Sequence, residues 1–325
     1  MKSMWGISAV KVDLLMSVRA LSIMSLFFLF SASVAMDQAQ DKALRPTESF
    51  PVQNSAIIHD FIPDPRTKQE TVLKRINQGK DGRIKPQTLG YPYSTQVMIR
   101  MLNENSIGTG TVIGKNVILT AAHNLVTSQK QKRGNLHVYH AGHQQSDFGE
   151  IAETFVHEKY LEPEKYRYEP GYNNSADLCA RCNDIGLIIM KNDIAHYTGT
   201  ALVSADFCKK DFLKNVSIEI GGYPASQYPF FLTMKGPIAQ YWDDLFLYEI
   251  DTSGGQSGAG ILVPTVTSQD PDYAVVGLHA YGIDGVENTL LNSPLGQAFA
   301  NYNFGVRLNK EKREWITEKL KKVGL

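Results

Sequence analysis

From Tyr93 onward the chain alternates short apolar runs with turn residues. The runs are Q-V-M-I-R-M-L (96–102), T-G-T-V-I-G (109–114), N-V-I-L-T-A-A (116–122), D-I-G-L-I-I-M (184–190), V-S-I-E-I-G-G-Y (216–223), L-F-L-Y-E-I (245–250), A-G-I-L-V (259–263) and A-V-V-G-L-H (274–279). Runs this short, with Gly, Asn and Pro between them, read as β-strands, and many in one chain predict an all-β barrel or sandwich. One segment breaks the pattern. N-K-E-K-R-E-W-I-T-E-K-L-K-K (309–322) sets Trp315, Ile316 and Leu320 at helical spacing with charges between them and Gly324 beyond. It predicts one amphipathic C-terminal helix packed on the body, with K-E-K-R (310–313) as its solvated start.

The first 75 residues follow neither pattern. Residues 1–19 carry Lys2, Lys11 and Arg19 against one acid, Asp13, and lead into A-L-S-I-M-S-L-F-F-L-F (20–30) and S-A-S-V-A (31–35). The apolar run is shorter than the ~20 residues that span a bilayer as a helix. A basic start, a short apolar stretch and the small residues Ser33 and Ala35 read as a secretory signal, residues 1–35, cut after Ala35. Met16 is an alternative start, and an uncleaved anchor is the competing reading. Residues 36–75 are polar, contain Pro46, Pro51, Pro63 and Pro65, and end at the dibasic Lys74-Arg75. They read as a pro-segment, leaving residues 76–325 with Ile76 at the new terminus.

Composition narrows the partners. Over 325 residues, 33 Lys+Arg balance 33 Asp+Glu, which lacks the basic excess of a nucleic-acid binder. Hydrophobic residues at 43% and charged residues at 20% describe a folded chain rather than a disordered one. At roughly 100–200 residues per domain the length suggests two domains.

Three local patterns carry chemistry. T-A-A-H (120–123) closes an apolar strand, N-D-I-G-L-I (183–188) opens one with an acid, and D-T-S-G-G-Q-S-G (251–258) puts a serine in a glycine-rich turn. A serine hydroxyl is a poor nucleophile near pH 7. It needs a base within hydrogen-bond reach, and the base needs a third group to hold its tautomer. His123, Asp184 and Ser257 supply the three types. Asp177 and Asp193 flank the same apolar strand and compete for the third role. An oxyanion must be met by backbone N–H groups with no side chain in the way. Gly254-Gly255 allows the N–H groups of Gly255 and Ser257 to converge on one spot.

T-A-A-H, D-I-G-L-I and G-G-Q-S-G-x-G together resemble the triad motifs of chymotrypsin-fold serine proteases, and among these the V8-like glutamyl endopeptidases. Y-P-Y (91–93), G-Y-P (222–224), K-G-P-I (235–238), G-L-H-A-Y-G (277–282) and I-N-Q-G-K-D-G-R (76–83) extend the likeness over residues 76–322. The resemblance implies two antiparallel six-stranded β-barrels with the site between them and a C-terminal helix. It also implies acyl transfer to Ser257 with His123 as base and Asp184 as orienting acid. The chain departs from the family in three places. Ala259-Gly260 stands where Ser-Pro is usual. Gln256 stands where animal trypsins have the Asp that receives a new N-terminus, and in the V8-like branch that terminus, here Ile76, instead lies near the specificity pocket. No cysteine pair flanks His123.

Two specificities remain open. Thr252 and His279 match the positions that receive a substrate carboxylate in glutamyl endopeptidases, and Tyr281 and Gly282 continue the substrate-lining strand. Asp251, six residues before Ser257, instead matches the pocket acid that selects Lys or Arg in trypsin. A Glu-specific enzyme would need another protease to cut after Arg75. The expected partners are protein or peptide substrates and that activating protease, with the chain a monomer outside the cytoplasm, secreted or periplasmic. No nucleic acid, membrane, metal or cofactor is expected for the mature chain. An inert binding protein on the same fold is the competing class. Cys179, Cys182 and Cys208 leave one thiol over; Cys179 or Cys182 bridges Cys208, or the two close a local loop. His137, His140 and His143 read as surface histidines, His157 as a loop residue, and Y-R-Y-E-P-G-Y (166–172) as a surface loop near the acid.

Overall fold

The computed structural model describes residues 80–140, 147–204, 207, 209–265, 272–282 and 301–325. The expected signal (1–35), pro-segment (36–75), Ile76, His143 and Cys208 lie outside the described residues.

Two six-stranded antiparallel sheets make up the body. The first holds β1 (Gln96–Met101), β2 (Ser106–Gly114), β3 (Val117–Thr120), β4 (Leu136–Tyr139), β5 (Ile151–Val156) and β6 (Gly186–Met190), in the order β4-β1-β2-β3-β6-β5. The second holds β7 (Ser217–Gly222), β8 (Leu232–Tyr241), β9 (Leu245–Tyr248), β10 (Gly260–Thr265), β11 (Asp272–Tyr281) and β12 (Asn303–Arg307). It closes as a barrel, β10-β11-β12-β9-β8-β7. The first sheet is a half-barrel. Its edge strand β4 has four residues, and a cavity of about 560 Å³ lined by Asn135, His137, Glu150 and Glu153 lies along the β4 and β5 edges. Those polar side chains keep the edges solvated.

The apolar runs that predicted strands mark the strands buried on both faces. On β3, Val117 and Leu119 enter the core shared with the second barrel, whereas Ile118 faces the interior of the first sheet. On β6, Leu187 and Ile189 take the shared side and Ile188 and Met190 the other. Two buried faces remove the polar alternation of a surface strand. Strand β8 is the opposite case. It reads L-T-M-K-G-P-I-A-Q-Y and is largely exposed along its second half, so its pattern gave no clear strand signal.

Six helices occur among the described residues: α1 (Glu158–Leu161), α2 (Pro163–Tyr166), α3 (Ala176–Cys182), α4 (Ala195–Thr198), α5 (Lys210–Leu213) and α6 (Lys310–Lys322). None of them is long and apolar enough to cross a membrane. Helix α6 is the expected C-terminal helix, and the Asn309 side chain caps it by accepting the Lys312 N–H at 3.1 Å. Trp315 and Ile316 enter the shared core. Its start is solvated at Lys310 and Glu311 but not at Lys312. Lys312 is fully buried, with Nζ 2.5 Å from Asp244 Oδ1, because a buried ammonium requires a paired acid. Trp315 Nε1 and Lys319 Nζ both donate to the Glu158 carboxylate, at 2.9 and 2.5 Å, which ties α6 to α1.

His157 lies at this junction, between β5 and α1 and thus in a loop as expected, though only 4% exposed. Its ring packs on Trp315 at 5.2 Å between centroids, and its Nδ1 accepts the Lys159 N–H at the start of α1. Burial, with Lys312 and Lys159 adding to it against Glu158 and Glu311, pushes its pKa down to about 4. Protonation would also cost the cap, since Nδ1 must stay an acceptor. The unfolded chain binds this proton more readily, so the stability is complete above the ordinary histidine value of 6.5 and is lost as pH falls toward 4. Denaturant titrations should show a loss on the order of 3 kcal/mol across that window, and His157→Gln should flatten it.

Candidate active site

Strand β3 ends at Thr120, and a single 3₁₀ turn, Ala122–Asn124, follows and presents His123. Helix α3, capped by the Ser175 hydroxyl on the Leu178 N–H at 3.1 Å, stops at Asn183 immediately before Asp184. The Asn183 carboxamide donates to Cys179 O and to the Tyr172 hydroxyl, at 2.8 and 3.1 Å. These bonds fix the exit of the chain from the helix. Asp184 is fully buried and meets His123 twice, with Oδ1 accepting the backbone N–H at 2.9 Å and Oδ2 lying 2.6 Å from the ring Nδ1. Burial alone would raise its pKa. The His123 charge and ring contact, the Tyr281 hydroxyl and the His123 N–H outweigh that and hold it below the ordinary value, so it is an ionised acceptor. The His123 side chain keeps 29% exposure, leaving its outer edge open to the cleft.

The rival acids are engaged elsewhere. Asp177 pairs with Arg181 Nε at 2.7 Å one helical turn along α3, and Asp193 accepts the Ala195 N–H at 2.9 Å. The Arg181 guanidinium packs over the Tyr281 ring at 4.8 Å, and that ring sits 5.5 Å from His123 and 5.0 Å from Phe304. Tyr281, predicted only as a substrate-strand residue, thus also walls the histidine. Gly282 follows at the end of β11.

The nucleophile turn begins after β9. The Gln256 N–H bonds Ser253 O at 3.1 Å, the Ala259 N–H bonds Gln256 O at 3.0 Å, and the Gly258 N–H bonds His279 O at 2.7 Å. The N–H groups of Gly255 and Ser257 make no hydrogen bond among the described residues, as a pair kept for an oxyanion requires. Gly255 has φ +98°, and a Cβ there would lie 2.3 Å from Tyr223 O. Ser257 is 7% exposed, and its Oγ donates to Ala280 O at 3.3 Å rather than to the His123 ring.

A cross-link joins the two loops where no cysteine pair is present. Ser257 O accepts the Thr109 N–H and the Asn124 Nδ2, both at 2.8 Å, and Asn124 also donates to Thr120 Oγ1 at 3.0 Å. Asn124 is the residue after His123, so one carboxamide links the turn that carries His123 to the Ser257 carbonyl. Sequence reading missed Asn124 and Thr109, since nothing in T-A-A-H-N or T-G-T distinguishes a buried clamp from an ordinary polar residue.

Thr252 is fully buried, and its Oγ1 has no hydrogen-bond partner among the described residues. His279, fully buried near the end of β11, has Nδ1 2.7 Å from the Tyr248 hydroxyl. Asp251 is 3% exposed, and its Oδ2 accepts the Gly82 N–H at 2.7 Å.

Cys179 and Cys182 are buried free thiols on α3 and close no bridge among the described residues. Burial pushes Cys179 to about 11 and Cys182 well above the ordinary range, which makes them unreactive. His140 is buried against Phe148 rather than on the surface, with Nε2 3.3 Å from Tyr197 O, while His137 sits 2.5 Å from Asp147. Tyr172, placed in a surface loop by its sequence, is 2% exposed and packs with Leu178 and Phe304. Among the described residues no group of three or more His, Cys, Asp or Glu side chains is placed to hold a metal.

Residues 84–223 match the trypsin family, a span that contains His123 and Asp184 and ends before Ser257. No curated protein sequence matches the chain. Among solved structures, a Glu endopeptidase in complex with MPD is similar, with a TM-score of 0.56 at 23% identity over 75% of this chain and 98% of that one. The fold is therefore chymotrypsin-like.

Gly255→Ala is expected to destabilise the protein by about 1–3 kcal/mol in urea unfolding, because the new methyl meets fixed backbone at a positive φ. Gly254→Ala, with nothing within 4 Å of its Cβ, is the matched control.

Proposed function

We propose that this chain, a trypsin-family domain on a chymotrypsin-like fold, is an exported serine endopeptidase that hydrolyses protein or peptide substrates after glutamate. Ser257 Oγ turns from Ala280 O toward His123 and attacks the scissile carbonyl carbon as His123 Nε2 takes its proton. Such hydrogen bonds commonly tighten only once substrate is bound. The tetrahedral oxyanion lies between the Gly255 and Ser257 N–H groups. Its collapse expels the amine, which takes the proton from His123. Water, deprotonated by His123, then releases the acyl group. Asp184 keeps the histidine ring in the tautomer that exposes a basic Nε2 and stabilises the imidazolium. The observation that carries this reading is a buried, ionised Asp184 bonded to both the ring and the backbone of His123, together with the Gly255 and Ser257 N–H groups, which have no partner among the described residues.

Glutamate selectivity is supported by the pocket. A carboxylate taken out of water needs donors. Thr252 holds a buried hydroxyl with no partner among the described residues, and His279, on β11, has Nδ1 2.7 Å from the Tyr248 hydroxyl, which fixes its ring. Asp251, which would serve a Lys or Arg side chain, accepts the Gly82 N–H on its Oδ2. The Glu endopeptidase among the structural neighbours agrees with this choice. Export is supported by the composition of residues 1–35, and maturation after Arg75 would then fall to a different, basic-directed protease.

Cleavage-site mapping on a peptide library with residues 76–325 should give cuts after Glu that vanish in Ser257→Ala. Cuts after Lys or Arg would move the pocket to Asp251, and equal cleavage by both proteins would remove Ser257 from the mechanism. Thr252→Val should keep or raise the thermal midpoint, since it deletes an unpartnered buried hydroxyl. It should also lower kcat/KM on Glu substrates about tenfold through the lost hydrogen bond to charge.

A further inference from the structure

The segment before β1 is bound to the nucleophile turn. Ile84 exchanges both backbone hydrogen bonds with Thr233, at 2.8 and 2.9 Å, and the Gly82 N–H reaches Asp251. Between them, the Arg83 side chain is wholly buried. Its Nε and Nη2 donate to the two oxygens of Asp81 at 2.9 and 2.8 Å, which neutralises the charge. Its Nη1 donates to Gln256 Oε1 at 2.5 Å and to Ser253 Oγ at 2.7 Å. The same Gln256 oxygen accepts the Ser253 N–H at 3.0 Å, and Gln256 Nε2 lies 3.4 Å from Leu232 O.

Gln256 stands between the two residues whose N–H groups are unused. Its side chain is pulled inward at both ends, so the peptide units on either side face the cleft. Gly255, at φ +98°, is the joint about which these units would rotate if that pull were released. We propose that Arg83 is a positioning residue for the oxyanion hole, clamping Gln256 and Ser253 so that the Gly255 and Ser257 N–H groups point into the cleft. An internal guanidinium thereby does for Gln256 what a newly freed terminus does for the Asp of animal trypsins. The role in turnover rests on the endopeptidase reading above, whereas the clamp itself does not.

The test compares Arg83→Met and Arg83→Lys in the full chain, by hydrogen exchange in a Ser257→Ala background and by kinetics with Ser257 present. Arg83→Met should speed exchange at the Gln256, Gly258 and Ala259 amides while the other β-strand amides keep their protection. It should also lower kcat roughly 100-fold, the scale of one lost oxyanion donor, with KM within about threefold. Arg83→Lys should fall between Arg83→Met and the unchanged protein, and in a third variant, Arg83→Ala, millimolar guanidinium should restore part of the rate. Unchanged exchange at those three amides, or protection lost evenly through the second barrel, overturns the proposal. Exchange confined to the turn in a protein that cleaves no peptide would keep the clamp and sink the endopeptidase reading.

Discussion

A carboxylate with no access to water organises this site. Asp184 is fully buried and stays ionised, which is affordable only where donors surround it. The donors are the His123 N–H, the His123 ring and the Tyr281 hydroxyl, and they come from the 3₁₀ turn after β3 and the end of β11. The stop of α3 at Asn183, the turn that presents His123 and the packing of Tyr281 between His123 and Phe304 all serve to bring these groups to one charge. Removing any of them would leave the acid short of a partner in a dry place.

The two sheets are held in register by a different kind of contact. The apolar core between them, built from alternate residues of β3 and β6 against the closed barrel, is strong but carries little directional information, because apolar side chains tolerate sliding. Direction comes from buried hydrogen bonds that cross the boundary. Thr109 and Asn124 hold the Ser257 carbonyl, Thr109 Oγ1 donates to Gly255 O at 2.8 Å, and Gln96 and Thr111 accept the Gly260 N–H at 3.2 and 2.8 Å. Each of these groups would be left unsatisfied by a shift of one residue, at a cost of about 1–3 kcal/mol apiece.

The same stretch of chain, 251–257, faces three tasks. Asp251 anchors Gly82, Thr252 keeps a buried hydroxyl with no partner among the described residues, and Gln256 anchors Arg83 while the N–H groups on either side of it make no hydrogen bond among the described residues. Residues 81–84 thereby grip the turn that carries Ser257 at Asp251, Ser253 and Gln256.

The strands with continuous apolar runs, the C-terminal helix and the candidates His123, Asp184 and Ser257 were legible in the sequence, because two-sided burial, helical periodicity and motif spacing are local properties. The polar strand β8, the open edge of the first sheet, the burial of Lys312, His140 and Tyr172, and the free thiols on α3 were not. Their environment is set by partners distant in the chain, such as Asp244 for Lys312. Likewise the contact of Asp251, read from the sequence as the acid that would select Lys or Arg, with the Gly82 N–H, 169 residues away, came only from the fold. The sequence by itself determined which chemical groups this protein holds and which segments are strands. Tertiary structure alone decided which polar groups are already paired and which remain available, because the free energy of a buried polar atom depends on what surrounds it in space and not on its neighbours along the chain.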